Sequence, residues 1–385
     1  MHISDYFLPV QTDLRDQLPT GCIQHQIEIF YETFPELDAL NLAIIGVSED
    51  RSYGLESSNH QTQQDNRNSE NIRAELYGLF VGPYKLHMAD LGNLKCGNTL
   101  EDTNFALAET INYLLQNNIV PIIIGAKQDM AYAQFCGYNN HVKALNLVSF
   151  DSKIELKEEG ENGAGYLNKI ILHQPGFLFN IAHLASQMYL FDQKCVTLME
   201  NMLFDVYRLG LLRSNLANAE PFLRNADMVS FNVSAIKQTD MPAQYRGSSN
   251  GLLAEEACQL CRFAGLSNGV QSIGFYDFQT SVDLNKQGAG LMAQMIWHFV
   301  DGFYHRREEN PFSGGEEFMK FRVALKNGEN ELVFYKSKNT ERWWMEVSSR
   351  HHQLPFVLPC SYQDYQTACN EELPDRWWKA QQKLM

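Results

Sequence analysis

Short apolar runs rich in β-branched residues recur along the 385-residue chain and constrain its fold more than any other feature. Several runs are apolar throughout, whereas a strand with one face in water alternates apolar and polar residues. The pattern therefore predicts strands that are covered on both faces, as in a parallel sheet. These runs are Leu42–Val47, Ile119–Ile124, Leu145–Phe150, Lys169–His173, Cys195–Met199, Met228–Val233 and Gln271–Phe278.

Helical patterns lie between these runs. Residues Thr103–Gln116 place apolar side chains three and four positions apart, and Leu252–Gly265 and Leu291–Phe303 do the same. Strands that alternate with helices predict an α/β fold, a three-layer αβα sandwich around a mostly parallel, doubly wound sheet. Ligands bind at the carboxyl ends of the strands in such sheets. The residues that follow each strand are therefore the first candidates for function.

The sequence changes character at about Glu308, where shorter strand patterns alternate with polar turns. We predict an α/β domain over residues 1–307 and a C-terminal β-rich extension over residues 308–385. Tryptophan is common both in packed cores and at protein interfaces, and packing of the tryptophan pairs against the α/β domain is favoured over partner docking. The extension contains predicted strands at Met319–Leu325, Leu332–Ser337 and Arg342–Val347, a turn at Asn327 and Gly328, and the pairs Trp343-Trp344 and Trp377-Trp378.

Charge and hydropathy exclude several classes of protein. A net charge of -15 gives no electrostatic surface for a phosphate backbone, so nucleic-acid binding is not expected. No apolar stretch reaches the roughly 18–20 residues that a membrane span needs, and the N-terminal residues do not resemble a secretory signal. The eight cysteines are scattered, which is typical of reduced thiols in a cytoplasmic protein. We therefore expect a cytoplasmic location without membrane contact.

Polar residues follow four of the predicted strands, and their order and spacing resemble the ureohydrolase family of arginase, agmatinase and formimidoylglutamase. The four strand ends begin with Gly125-Ala126-Lys127-Gln128-Asp129, Asp151-Ser152-Lys153-Ile154-Glu155, Asn232-Val233-Ser234 and Asp277-Phe278-Gln279. The resemblance covers residues 40–305 and also includes Asn71-Ile72-Arg73, Asp90-Leu91-Gly92-Asn93, and Gly251-Leu252 followed by Glu255-Glu256. It implies an arginase-like fold and two Mn²⁺ ions that share a hydroxide, which attacks a guanidinium or amidine carbon.

Most of the metal ligands that the resemblance implies are replaced in this sequence. Where the family has four aspartates and two histidines, this chain keeps Asp151, and Glu155 is the other carboxylate. Mn²⁺ prefers carboxylate and imidazole ligands, so we expect no metal cofactor, and any residual ion would bind to Asp151 and Glu155. The replacements are Gln128 and Lys153 at the two histidines, and Glu155, Asn232 and Ser234 at three of the aspartates.

Lys153 brings a positive charge into the position of a metal ligand. Asp151, Lys153 and Glu155 are spaced by two, so all three face one side if the strand continues past Phe150. We predict that the Lys153 ammonium group takes the place of a manganese ion, between the carboxylates and the amide oxygens of Gln128 and Asn232.

Further residues belong to the candidate pocket through the same resemblance. Asp277 falls at a glutamate that contacts substrate, and Lys157 falls where some agmatinase-like and formimidoylglutamase-like members have arginine. A strand-end aspartate that caps neighbouring backbone groups is the alternative for Asp277. His173, at the end of a predicted strand, and His183, in a helical segment, are interpreted as ordinary core or surface histidines.

Two hypotheses about function follow. The first is a pseudoenzyme, in which the fold serves as a scaffold or binding module, with a small cationic or amide ligand in the pocket or a protein partner on residues 308–385. The second is an active formimidoylglutamase-like or agmatinase-like hydrolase of C–N bonds in an amidine or guanidine, with an atypical metal site. A role of Lys153 as a base is disfavoured, because neighbouring carboxylates keep it protonated. The resemblance also allows a homo-oligomer.

Overall fold

The structure is a computed structural model that describes residues 2–49, 51, 66–139, 141–156, 165–325, 331–348 and 355–384. Its helices and strands are numbered in chain order. They are β1 Phe7–Leu8, β2 Glu28–Ile29, β3 Leu42–Val47, α1 Arg67–Tyr77, β4 Met88–Leu94, α2 Leu100–Gln116, β5 Val120–Ala126, α3 Ala131–Cys136, β6 Leu145–Phe150, α4 Tyr166–Ile171, β7 Leu178–Ser186, α5 Lys194–Asn201, β8 Asp205–Arg208, α6 Leu209–Ser214, α7 Glu220–Arg224, β9 Met228–Asn232, α8 Ala254–Gly265, β10 Ser272–Tyr276, α9 Gln287–Tyr304, β11 Phe318–Ala324, β12 Glu331–Ser337, β13 Trp343–Val347, β14 Phe356–Cys360, α10 Tyr362–Cys369 and α11 Asp375–Leu384.

The first ten strands form one sheet in the order β1-β4-β3-β5-β10-β9-β6-β7-β8, with β2 also paired to β4. Only the edge pair of β1 and β4 is antiparallel among the described pairs of this sheet, and the others are parallel. The strand order is not the chain order, because helices cross over between strands. The sheet confirms the prediction of a mostly parallel α/β sandwich.

Each face of the sheet is buried under helices, as the continuous apolar runs predict. Side chains alternate between the faces, so that Leu42 and Ile44 of β3 pack on one side while Ala43 and Ile45 pack on the other. Helices α1, α8 and α9 cover the first face, and α2, α3, α4 and α5 cover the second.

Two of the predicted strands are helices. Lys169–His173 lies largely in α4, and Cys195–Met199 lies within α5. A short apolar run has no periodicity long enough to separate a buried helix from a strand. The strand that belongs between them is β7, and it contains His183, which the sequence pattern assigned to a helical segment.

A buried ion pair fixes α1 to the sheet. Arg73 is fully buried, and its Nε and Nη2 donate to the two carboxylate oxygens of Asp90 on β4 at 2.8 and 2.9 Å. Its Nη1 donates to Glu70 and to Asn93, at 3.1 and 2.7 Å. Such a bidentate pair satisfies both charges in the interior, so it sets the position of α1 against the strand ends.

The extension forms a second, antiparallel sheet in the order β11-β12-β13-β14. The predicted strands within it are confirmed, whereas the turn at Asn327 and Gly328 lies outside the described residues. Trp343 packs in the small core of this sheet, and the guanidinium of Arg224 in α7 lies 4.2 Å from the ring of Trp344. No helix in the described part of the chain is long and apolar enough to cross a membrane.

The extension contacts the α/β domain at the amino ends of its strands. Lys379 of α11 pairs with Asp205 at 3.0 Å, and Lys383 donates to Asn180 at 2.6 Å. Asp205 and Asn180 lie at the beginnings of β8 and β7. The extension is therefore on the side of the sheet opposite to the carboxyl ends.

Candidate functional site

Four neighbouring parallel strands bring the predicted site residues to one edge of the sheet. Strands β5, β10, β9 and β6 are adjacent in this order, and their carboxyl ends are followed by or end in Gln128, Asp277, Asn232 and Asp151. Asp151, Gln128 and Asn232 are buried, and Asp277 is half-buried. We call this group the carboxyl-edge site.

A chain of hydrogen bonds connects the two aspartates of the carboxyl-edge site. The Asn232 Nδ2 donates to Asp277 Oδ2 at 2.7 Å, and its Oδ1 accepts the Ser234 backbone N–H at 2.8 Å. The Ser234 hydroxyl then donates to Asp151 Oδ1 at 2.6 Å. Asn232 and Ser234 thus act as donors to carboxylates, and the short 3-10 turn at Val233–Ala235 holds them in this arrangement.

Gln128 supplies an acceptor that has no partner. Its backbone N–H donates to Asp277 Oδ1 at 3.1 Å, and its Nε2 donates to the Ser230 hydroxyl at 3.0 Å. In this orientation of the amide, Oε1 is buried without a hydrogen-bond partner among the described residues. A buried acceptor of this kind is costly unless a donor reaches it.

Burial dominates the electrostatics of the site. Burial raises the pKa of Asp151 to about 7, although the Ser234 hydroxyl and the Lys153 backbone N–H oppose the rise. Burial also raises the pKa of Asp277, against the hydrogen bonds from Gln128 and Asn232. No ion pair among the described residues joins either carboxylate. Neither carboxylate therefore has a positively charged partner among the described residues.

Asp277 has a left-handed backbone conformation, with φ of 63°. This region costs a residue with a side chain roughly 1–2 kcal/mol, and aspartate tolerates it better than most. The conformation lets one aspartate accept from both Gln128 and Asn232. Strain that serves a defined side-chain position is typical of functional sites.

Lys153 does not occupy the position of a metal ion, so that prediction is wrong. Strand β6 ends at Phe150, and the chain bends at Ser152 and Lys153, so side chains no longer alternate as in a strand. Lys153 and Glu155 are both exposed, and only the backbone N–H of Lys153 reaches Asp151, at 3.1 Å. Lys157 lies outside the described residues.

Two polar residues near the site were missed by the sequence reasoning, although their signal was visible. Ser230 in β9 and Ser149 in β6 are polar residues within largely apolar strands. Ser230 accepts from Gln128, and Ser149 shares a hydrogen bond of 2.9 Å with the buried Tyr166 hydroxyl. Tyr166 gave no signal of this kind, because only the fold brings α4 next to β6.

The residues present do not fit a dinuclear manganese centre. Glu155 and Lys153 are exposed, and Asn232 and Ser234 donate hydrogen bonds to aspartates. Within the described ranges, no group of three or more histidine, cysteine, aspartate or glutamate side chains is arranged to hold a metal ion. Among the six corresponding positions, Asp151 is the only buried carboxylate that could bind the two ions of the family.

The fold and the carboxyl-edge site define an αβα protein with the architecture of the ureohydrolases, and comparison with known proteins agrees. The sequence profile of the Arginase family matches residues 41–301, which is more than half of the chain. The chain therefore belongs to the arginase family.

The curated relatives that this chain matches include formimidoylglutamases. A formimidoylglutamase from Clostridium tetani is 30% identical over 108 residues, which cover 25% of this chain and 31% of the relative. One from Streptococcus gordonii is 24% identical over 196 residues, which cover 45% and 57%. The chain thus matches between about a third and rather more than half of the length of these relatives.

Solved structures share the fold at low sequence identity. The formiminoglutamase of Trypanosoma cruzi with Mn²⁺ has a TM-score of 0.62 and 18% identity, covering 71% of this chain and 96% of that one. The formimidoylglutamase of Bacillus subtilis has a TM-score of 0.64 and 14% identity, covering 79% and 98%. The expectation of no metal cofactor for this chain is contradicted by this comparison, because the first of these structures, of the same fold, contains Mn²⁺.

Proposed function

We propose that this arginase-family protein binds a small organic cation, an amidinium or guanidinium group, at the carboxyl-edge site. The observation that carries the proposal is the pair of carboxylates of Asp151 and Asp277, joined through Asn232 and Ser234, with no ion pair in the described part of the chain. Buried carboxylates that lack a positive partner are unfavourable. A cation that enters the site compensates them.

The acceptors favour a cation that carries several N–H donors. Asp151 and Asp277 are acceptors when ionised, and the Oε1 of Gln128 is a further acceptor without a partner. A planar amidinium or guanidinium presents donors in a fixed plane and forms strong charge-assisted hydrogen bonds to carboxylates. In this proposal the protein acts as a binding module for such a cation.

Calorimetry with defined probes tests the proposal. Agmatine and formamidine are expected to bind, whereas tetramethylammonium, which has the charge but no donor, is not. Removing one charged hydrogen-bond partner by Asp277→Asn should weaken binding by tenfold or more, as expected for roughly 1.5–3 kcal/mol. Asp227→Asn is the matched control, because Asp227 is a half-buried carboxylate just before β9, at the opposite edge of the sheet. Equal affinity of all three probes would contradict the proposal.

The second candidate is a formimidoylglutamase-like hydrolase with an atypical metal site. It is supported by the names of the curated relatives and by the Mn²⁺ in the Trypanosoma cruzi structure. Its test is metal content of protein purified with excess Mn²⁺, measured together with release of formamide, urea and ammonia. Stoichiometric Mn²⁺ with turnover would establish this function and refute the binding module. Binding of agmatine or formamidine without turnover in the Mn²⁺-treated protein would support the first proposal.

The protein partner, the oligomeric state and the location remain predictions. A partner on residues 308–385, a homo-oligomer and a cytoplasmic location are all expectations from the sequence. Trp378 is 42% exposed, whereas Trp343 and Trp344 are buried, so Trp378 is the tryptophan among these three that a partner could contact.

A further inference from the structure

Helix α11 of the extension presents three cations to the α/β domain. Arg376, Lys379 and Lys383 are three and four residues apart, so they lie on one face of this helix. An amphipathic helix normally packs an apolar face against its neighbour. Here the guanidinium of Arg376 lies 3.8 Å from the centre of the Phe222 ring. The Lys383 ammonium group lies 5.0 Å from the centre of the Phe204 ring. The extension therefore contacts the α/β domain with a cationic helix face.

A small cavity lies between α11 and the beginnings of the strands. Its volume is about 40 Å³, which is enough for one small ion or a few water molecules. The three cations of α11 and the short side chain of Ala380 line it from the extension. Asn146, Asn180 and Asp205, near the beginnings of β6, β7 and β8, line it from the α/β domain.

Carboxylates are close to two of the three cations. Lys379 pairs with Asp205 at 3.0 Å and with the exposed Asp375 at 2.9 Å. Arg376 is 3.7 Å from Asp364, but its buried Nε has no hydrogen-bond partner among the described residues. Asp205 is the one carboxylate among the described residues that line the cavity. The lining thus has three cations and one carboxylate.

Lys383 is the cation without a carboxylate. It is half-buried and forms no ion pair in the described part of the chain, and its ammonium group donates to the neutral Oδ1 of Asn180 at 2.6 Å. Burial lowers the pKa of Lys383 to about 8, although the nearby Asp205 carboxylate opposes this change. Lys383 is therefore largely charged at pH 7. A charge that is removed from water without a partner of opposite sign is unfavourable.

We propose that the cavity between α11 and the strand beginnings binds one small inorganic anion of the size of chloride. The anion accepts hydrogen bonds from the Lys383 ammonium group and from Nε of Arg376, and it compensates the charge that Asp205 leaves unbalanced. It should thereby stabilise the packing of the extension against the α/β domain. The cavity lies at the amino ends of the strands, away from the carboxyl-edge site, so the inference is independent of the proposed function.

Bromide locates the site directly, because it resembles chloride and scatters X-rays anomalously. Crystals of the full chain soaked in sodium bromide should show an anomalous peak in the cavity, within hydrogen-bond distance of the Lys383 ammonium group. An ordered cavity without such a peak would overturn the proposal.

Thermal unfolding at pH 7 tests whether the anion matters in solution. Sodium chloride is compared with sodium gluconate at equal ionic strength, because gluconate is too large for the cavity. Above the dissociation constant, the melting temperature should rise by on the order of 2 °C for each tenfold increase in chloride, with no such rise in gluconate. Lys383→Met should remove the difference between the salts. Lys338→Met is the matched control, since Lys338 is an exposed lysine of the same extension, and it should keep the difference.

The remaining outcomes also decide the question. A chloride effect of full size in Lys383→Met would be a general salt effect and would overturn the proposal. A bromide peak in crystals without any difference between chloride and gluconate in solution would mean an adventitious ion only. If Lys383→Met does not fold, the bromide peak and the two salts on the wild-type chain still give the answer.

Discussion

Replacing Asp151 by asparagine tests the electrostatics of the site directly. Asp151 is 5% exposed, and its Oδ1 accepts from the Ser234 hydroxyl at 2.6 Å and the Lys153 N–H at 3.1 Å. Asparagine keeps an oxygen at this position and removes the charge. We therefore expect Asp151→Asn to change how stability depends on pH while it preserves both hydrogen bonds.

The sign of the effect follows from the direction of the pKa shift. Because burial raises the pKa of Asp151 from 3.8 to about 7, the folded protein binds a proton more tightly than the unfolded chain. The folded state is therefore favoured at low pH, and this contribution is lost as the pH rises from about 4 to about 7. At 1.36 kcal/mol for each pH unit, the full loss is on the order of 4 kcal/mol.

Denaturant unfolding between pH 4 and pH 8 measures this effect. The unfolding free energy of the variant minus that of the wild type should increase from about pH 4 and become constant above about pH 7. Asp227→Asn is the control, because burial raises the pKa of Asp227 only to about 6 and its contribution should level off earlier. Parallel pH profiles of Asp151→Asn and the wild type would refute the reasoning.

The affinity for an organic cation should depend on pH in the opposite direction to the stability contribution of Asp151. An organic cation binds better to the ionised carboxylate, so agmatine affinity should rise with pH and level off above about pH 7 in the wild type. Below that, the expected slope is about tenfold for each pH unit. A flat profile would show that Asp151 does not take part in binding.

Three further predictions concern neighbouring positions. Arg73→Met should lower the unfolding free energy by about 3–5 kcal/mol in the same denaturant assay, because it leaves the buried Asp90 carboxylate unpaired. The double variant with Asp90→Leu should recover part of this loss. Asp277→Ala should be less stable than Asp277→Asn by about 2 kcal/mol, since alanine accepts no hydrogen bond and disfavours the left-handed backbone; equal stability would contradict this. Lys153→Ala should change stability by less than about 0.5 kcal/mol in thermal unfolding, because its side chain is exposed.

The sequence pattern predicts the fold well where its signal is long or repeated. Leu42–Val47 and Leu145–Phe150 are strands with the predicted bounds, and the helix predicted at Leu291–Phe303 lies within α9. The errors fall on short apolar runs, because α4 and α5 contain few turns and expose little periodicity. Tertiary position, rather than local pattern, decides between strand and helix there.

The candidate site was predicted in its location but not in its interactions. Order along the chain is enough to place Gln128, Asp151, Asn232 and Asp277 at strand ends, and a parallel sheet then brings them together. The spacing of residues along the chain does not indicate where a strand ends and the backbone bends. The bend at Lys153 turned its ammonium group out to solvent, and the role assigned to Lys153 failed for that reason.

The replaced residues at the carboxyl-edge site are more than lost ligands. Asn232 and Ser234 occupy positions where the resemblance implies aspartates, and each now donates a hydrogen bond to a remaining aspartate, Asp277 or Asp151. Each of these carboxylates also accepts one backbone N–H, from Gln128 or Lys153, so each has two donors. The same donors do not neutralise the charge, because neutral groups lower the pKa less than an ion pair does, and burial still prevails. In the proposed binding module, this arrangement presents two ordered carboxylates to one positively charged group.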